Sequence, residues 1–291
     1  KKNVVIAGST GIVGQEVVAS LAKEHNIIEI STKNLDLLDK KKIELFLNKF
    51  EKIDFLIFLV GLAHKKGTKK DFTDFSEVNF LTLVNFLNIC SKKDILPKKI
   101  IFASTISVYG ESLNSKVFFE DSNLYPLSPY AITKKTAEEY LLNNFKDNSF
   151  ILRFAPVYSN NFMLNIFRRI KLKNFFFRVG KGNNLLSLCH IENIILTVRS
   201  IINNKIPNGI YNISDLKPYT YKFLLEKYSN KVHLKIPKLA VVVLLLVGIL
   251  VRNRFLVDNS KKLITDNIYP SDKIRKFIIL KNSLDSIKIS K

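Results

Sequence analysis

NVVIAGSTGIVGQEVVASLAKE, residues 3–24, decides the fold. Its first part, NVVIAG, is a short apolar run of strand length, and the part from Gly11 onward has the apolar spacing of a helix. Between them stand Gly8, Gly11 and Gly14. A glycine-rich turn from a strand into a helix lets main-chain N–H groups approach a pyrophosphate, and the helix N-terminus adds its partial positive charge. Gly8, Thr10, Gly11, Ile12, Val13 and Gly14 are therefore candidate dinucleotide contacts.

The alternation continues along the chain. NIIEIS (26–31), DFLIFLVG (54–61), KKIIFAST (98–105) and SFILRFA (149–155) read as strands; 41–50, 75–93 and 129–145 read as helices. Apolar strands joined by amphipathic helices predict an α/β protein with a doubly wound, Rossmann-like parallel sheet. Residues 1–160 form the expected dinucleotide-binding domain, with 185–203 rejoining it. Residues 161–291 form a smaller, mainly substrate-binding C-terminal lobe.

The second strand ends without the acid that usually takes the ribose hydroxyls. Ser31, Thr32 and Lys33 stand there instead, and a hydroxyl pair followed by a cation suits a 2′-phosphate. The cofactor expected is NAD or NADP, with NADP favoured. Asp36 and Leu37 are placed to meet the adenine edge.

The fourth strand runs into STISVYGE (104–111), so Ser104, Thr105 and Ser107 fall at a carboxyl strand end, where ligands bind in such sheets. SPYAITK (128–134) follows. Ser128 is a suitable N-cap and Pro129 a suitable first helical residue. Tyr130 and Lys134 share a helix face. The neighbouring cation is expected to lower the tyrosine pKa, so that the phenol passes a proton to or from an alcohol oxygen while Thr105 holds that oxygen.

This ordered set resembles the extended short-chain dehydrogenase/reductases, in the NAD-dependent epimerase/dehydratase family of nucleotide-sugar enzymes from bacterial polysaccharide biosynthesis. The resembling stretches are GSTGIVG, FLVGLAH with Val60 and Gly61, EVN at Asn79, FASTISVYGE, the Ser-Pro-Tyr-x-x-x-Lys helix, ILRFAPVY, SLCHIENII and FLVDNSKKL. The resemblance implies a Thr105–Tyr130–Lys134 triad and hydride transfer at C4 of a nucleotide-linked hexose, by a 4-epimerase or a 4-keto reductase. It places Val60, Gly61, Asn79, Tyr130 and Lys134 at the dinucleotide and Ser107 at the substrate. Where relatives often carry an arginine ahead of SLCHIEN, this chain has Leu185 and Leu186; Arg254 and Lys181 are candidate replacements as diphosphate contacts. Ile106 and Ser107 follow Thr105 where a dehydratase would carry an acid pair, so elimination is not expected. The alternative function is a non-catalytic dinucleotide-binding or membrane-surface relative of the same fold.

The formal net charge is +21. An acidic partner follows from that, but the lysines are dispersed and no basic block is interleaved with aromatics, so nucleic acid is not expected. The two cysteines are far apart, no metal-ligand spacing is visible, and a cytoplasmic protein without a leader peptide is expected. A homodimer is expected. LAVVVLLLVGILV (239–251), flanked by Lys235, Lys238, Arg252 and Arg254, falls short of the ~20 residues of a spanning helix. A buried helix is the first reading. A helix lying weakly on a membrane surface is the second.

Overall fold

The computed structural model describes residues 1–62, 69–113, 116–229 and 233–287. In chain order the strands and helices are β1 (Asn3–Ala7), α1 (Ile12–Leu21), β2 (Asn26–Ile30), α2 (Lys40–Leu47), β3 (Phe55–Phe58), α3 (Lys69–Ser76), α4 (Thr82–Lys92), β4 (Lys99–Thr105), α5 (Pro129–Asn144) and β5 (Ser149–Phe154). Then come β6 (Val157–Tyr158), α6 (Leu164–Ile170), β7 (Lys171–Leu172), β8 (Phe175–Val179), β9 (Leu185–Leu186), β10 (Cys189–His190), α7 (Ile191–Ile202) and β11 (Gly209–Ile213). The chain closes with β12 (Tyr219–Thr220), α8 (Tyr221–Tyr228), β13 (Leu234–Ile236), α9 (Lys238–Leu250), α10 (Arg254–Ile264) and α11 (Asp272–Arg275).

Two compact units result. The first comprises Lys1–Val108, Ser128–Arg153 and Ile195–Tyr211; the second comprises Tyr109–Leu127, Phe154–Ile194 and Asn212–Lys291.

The first unit is built on a six-stranded sheet in the order β11-β5-β4-β3-β1-β2. β1 pairs in parallel with both β2 and β3, and β3 with β4. Val4–Ala7, all of β3 and all of β5 are buried, as strands covered on both faces must be. The chain moves to opposite sides of β1 to form β2 and β3, so the strand order reverses between β1 and β3. Ligands of open α/β sheets bind at that switch.

α5 buries an unusual face. Ala131, Lys134, Ala137, Glu138 and Leu141 recur at helical spacing and are all inside. The stripe therefore carries two charged residues. Glu138 is answered by Arg153 of β5: Nη2 donates to Oε2 at 2.7 Å and Nε to Oε1 at 3.1 Å, with the two side chains 1% and 2% exposed. The Ser104 hydroxyl also bonds to Glu138 Oε1.

The second unit holds three small sheets, β10-β6, β12-β9 and β13-β8-β7. One of its cores gathers Tyr158, Ile166, Leu186, Leu188, Tyr219 and Leu224.

The expectation of a buried helix over 239–251 is overturned. Within α9 the buried residues are Val241, Leu245 and Gly248, a single narrow stripe, whereas Leu239, Val243, Leu246 and Leu250 are 50–84% exposed. A helix that is apolar all round presents the same chemistry on every side, so its burial is set by how much surface its neighbours offer. Phe177 and Val179 of β8 cover one side of α9 at Val241, and α10 covers it at Gly248. Among the described residues no helix is long and apolar enough to cross a membrane.

Removing one partner of a buried ion pair strands the other charge. Arg153→Met should cost about 3–5 kcal/mol in urea-unfolding free energy. The double variant Glu138→Met/Arg153→Met should lose less than that single change, and a double variant at least as unstable would show that the pair is not the dominant buried charge interaction of this face.

Candidate functional site

β1 ends at the glycine turn. Gly8 has φ +86° and its N–H donates to Ile30 O at 2.8 Å, while Gly11 N–H donates back to Gly8 O at 3.1 Å. A Cβ on Gly8 would stand 3.0 Å from the main chain of Leu59 and Val60, and one on Gly14 would stand 2.2 Å from Gly8 O. Both positions are closed to larger residues, so α1 starts directly against the strand end. Gly11 is the N-cap and provides no side-chain acceptor; the first intrahelical bond is Gln15 N–H to Gly11 O. The N–H groups of Ile12, Val13 and Gly14 thus point out of the helix end as donors, a cradle that fits the pyrophosphate of a dinucleotide. Thr10 is exposed at the rim, with its carbonyl held by the Gln15 amide.

At the end of β2, Thr32 and Lys33 are exposed, and the turn is folded by Asn34 Oδ1, which accepts from Ser31 N–H at 2.7 Å. Asp36 is exposed and caps Leu38 N–H. The Leu37 side chain lies in the core and its carbonyl accepts from Asn85, which leaves its N–H as the group to meet an adenine edge.

Thr105 closes β4 and is buried; its Oγ1 accepts from Ser107 N–H at 3.2 Å, and its side chain stands close enough to the Tyr130 phenol to influence its ionisation. Tyr130 stands in the first turn of α5. Ser128 caps that turn by accepting from Ala131 N–H at 3.2 Å, with Pro129 at the helix start. Lys134 is 2% exposed. Its Nζ donates to Val60 O at 3.0 Å and to Ala103 O at 2.8 Å and lies 4.7 Å from the centre of the Phe102 ring. A Cβ on Gly61 would approach that Nζ to 3.4 Å. Asn79, fully buried in a π-helical turn over Glu77–Leu81, accepts from Leu62 N–H at 2.7 Å and donates to Thr133 Oγ1 at 3.1 Å. Its polar atoms fasten the loop after β3 to α5, which positions Val60 and Gly61.

The expected lowering of the Tyr130 pKa is corrected. Burial pushes the phenol up to about 12, and the Thr105 side chain offsets only part of that. The ammonium of Lys134 is spent on main-chain carbonyls. Burial brings it down to about 7, with Glu138 one turn on opposing the shift. The phenol is a proton donor at neutral pH, and the lysine changes charge there.

Ser107 lies in the 3₁₀ turn after β4. Arg254 opens α10, and its side chain lies outside the described residues, as do Ala63 and His64 of FLVGLAH. Lys181 is exposed, and its carbonyl accepts from Arg178. Leu186 is packed in the second unit's core.

Glu138, Asp215 and Glu111 are buried carboxylates that escaped the sequence reading. Glu138 was signalled only by its i+4 relation to Lys134. Asp215 accepts from Tyr158 and Tyr219 hydroxyls at Oδ2 and from His190 N–H and Asn193 at Oδ1, and burial raises it to about 6. Glu111, in the second unit, lines a cavity of about 520 Å³ together with Tyr109, Tyr125 and Lys261. Burial raises its pKa against the pull of Lys262, 3.3 Å from Oε1, and its Oε2 has no hydrogen-bond partner among the described residues.

The pKa of Lys134 sets a pH dependence. Free lysine titrates near 10.5 and the folded one near 7, so between these values the unfolded chain binds more protons. Stability contributed by this group is therefore present above about 10.5 and lost as pH falls to about 7. Urea unfolding across this window should show a rise with pH that Lys134→Met reduces; identical slopes in both proteins would overturn the assignment.

Comparison with known proteins agrees with this geometry. The model of the NAD dependent epimerase/dehydratase family matches residues 4–214. The chain is 31% identical over 183 residues to an uncharacterised UDP-glucose epimerase of Bacillus subtilis, covering 53% of this chain and 56% of that one. The chain thus spans a little over half the length of that relative. It is 27% identical over 237 residues to the UDP-glucose 4-epimerase of Vibrio cholerae, covering 74% and 71%. Among solved structures, the UDP-Glc/GlcNAc 4-epimerase of Campylobacter jejuni shares the fold, with a TM-score of 0.75 at 18% identity over 98% of this chain and 95% of that one. A family match that begins in β1, takes in the glycine cradle together with Thr105, Tyr130 and Lys134, and stops just past β11 leaves one assignment: this chain belongs to the NAD dependent epimerase/dehydratase family.

Proposed function

We propose that the protein is an NAD(P)-dependent oxidoreductase or epimerase that moves a hydride at C4 of a nucleotide-linked hexose, a UDP-hexose or UDP-N-acetylhexosamine. The observation that carries the reading is the order of Thr105 at the end of β4, Tyr130 in the first turn of α5, and a buried Lys134 one helical turn behind the phenol, its Nζ held by Val60 O and Ala103 O. That the Vibrio and Campylobacter relatives are 4-epimerases of UDP sugars supports C4 and the UDP carrier.

The dinucleotide, when bound, supplies the hydride acceptor and donor. The chain's residues manage the oxygen. Thr105 holds the C4 oxygen by a hydrogen bond. In the reducing direction Tyr130, protonated at neutral pH, delivers its proton to that oxygen. The Lys134 ammonium then stabilises the phenolate that remains. In the oxidising direction the same phenolate takes the alcohol proton. Asn79 acts on Val60 and Gly61, not on the reacting atoms. Exposed Thr32 and Lys33, with no acid between Ile30 and Asn34, suit NADP.

Tyr130→Phe should lower turnover of UDP-sugars by about 10²–10⁴, read as product formation by NMR, while dinucleotide titration stays unchanged; retained turnover would remove the proton-transfer role. Lys33→Ala should weaken NADPH by about tenfold, ~1.4 kcal/mol, and leave NADH unchanged. Equal losses for the two would show that Lys33 reads no phosphate.

A further inference from the structure

The family assignment leaves α9 without a task. On a helical wheel Leu239, Val243, Leu246 and Leu250, spaced i, i+4, i+7, i+11, form one stripe, and Val241, Leu245 and Gly248 form the opposite one. The second stripe packs on the protein: Val241 joins Phe177 and Val179, and a Cβ on Gly248 would come within 3.0 Å of Leu256. The first stripe faces outward, and Leu244, Val247, Ile249 and Val251 widen it with exposures of 42–59%. Two more exposed apolar side chains stand on the sheet that α9 packs against. Alternation along β8 puts Phe175, 72% exposed, on the face of Phe177 and Val179, and register pairs Leu234, 58% exposed, with Phe177.

An exposed apolar helix face of this extent marks an interaction site. Its composition and its surroundings indicate the occupant. The outward face of α9 is purely aliphatic. It has no aromatic, Met or Arg of the kind that enriches the centre of a protein–protein interface, and no polar group to fix a register with one. Charge is confined to its ends: between Glu226 and Asp258 the sequence has six Lys or Arg (227, 231, 235, 238, 252 and 254) and no Asp or Glu. Lys235, Lys238 and Arg252 are exposed, and so are Lys171 and Lys173 in the β7–β8 hairpin that carries Phe175. Acyl chains require no directional contacts, and anionic headgroups sit where these cations flank the helix. We propose that α9 lies in the surface of an anionic lipid bilayer, seated by its outer aliphatic stripe and held by the flanking lysines and arginines. The helix is too short to span, so the protein docks on one leaflet.

The test is co-sedimentation of the full chain with vesicles of phosphatidylcholine alone, or with about a third phosphatidylglycerol, at moderate salt. Binding to the anionic vesicles is expected, with Leu246→Asp/Leu250→Asp lowering the bound fraction about tenfold at an unchanged melting temperature. The chain has no tryptophan, so Leu246→Trp gives a single reporter whose emission should shift to the blue on the same vesicles and not on neutral ones. Three results would overturn the proposal: no sedimentation with anionic vesicles, equal binding to both vesicle types, or a dimer by light scattering that the double Asp variant converts to monomer. The last would assign the face to a second copy of the chain.

Discussion

The buried ammonium of Lys134 is the constraint around which the first unit is organised. An unpaired cation in the interior is costly, and the cost is met here by two carbonyl oxygens, Val60 O and Ala103 O, and by the face of Phe102. Those carbonyls belong to the segments at the carboxyl ends of β3 and β4. One side chain thus ties α5 to the part of the sheet where its strand order reverses. Other local features follow from this tie. Gly61 leaves room for Nζ beside the loop, Asn79 fastens that loop to Thr133, and Ser128 with Pro129 sets where α5 begins. The position of Tyr130 against Thr105 is a consequence of where the lysine is anchored.

The same anchoring explains why the tyrosine is a stronger holder of its proton than its neighbourhood suggested. Spacing along a helix shows that Tyr130 and Lys134 share a face. It does not show where the long lysine chain ends, and here it ends on main-chain oxygens. A phenol then feels mostly the loss of water, so its proton is held firmly.

Much of this was legible in the sequence because it depends on local rules. Strand-length apolar runs, the glycines between β1 and α1, and the cap at Ser128 each announce themselves within a few residues. Properties that depend on what lies opposite were not legible. α5 buries Lys134 and Glu138 on a face where an apolar stripe is expected, and the partner that permits it, Arg153, comes from a strand that reads as plain core. Leu37 looks like a ligand position in a motif yet fills the core. The run 239–251 has no polar residue to mark an outer side, so periodicity cannot orient it, and only the narrowness of the surface beneath reveals that most of it is uncovered.

Glu138, Asp215 and Glu111 show how the same physics separates engaged carboxylates from open ones. Glu138 has both oxygens engaged by Arg153 and Ser104. Asp215 has two donors on each oxygen, which is as many as a carboxylate takes, so it organises β6, β10 and the start of α7 and has nothing left to offer. Glu111 differs. One oxygen meets Lys262, the other has no partner among the described residues, and the side chain borders a cavity. A buried acceptor left open costs stability unless something in solution completes it. Of the three, Glu111 is the one that keeps an open acceptor at the wall of a cavity.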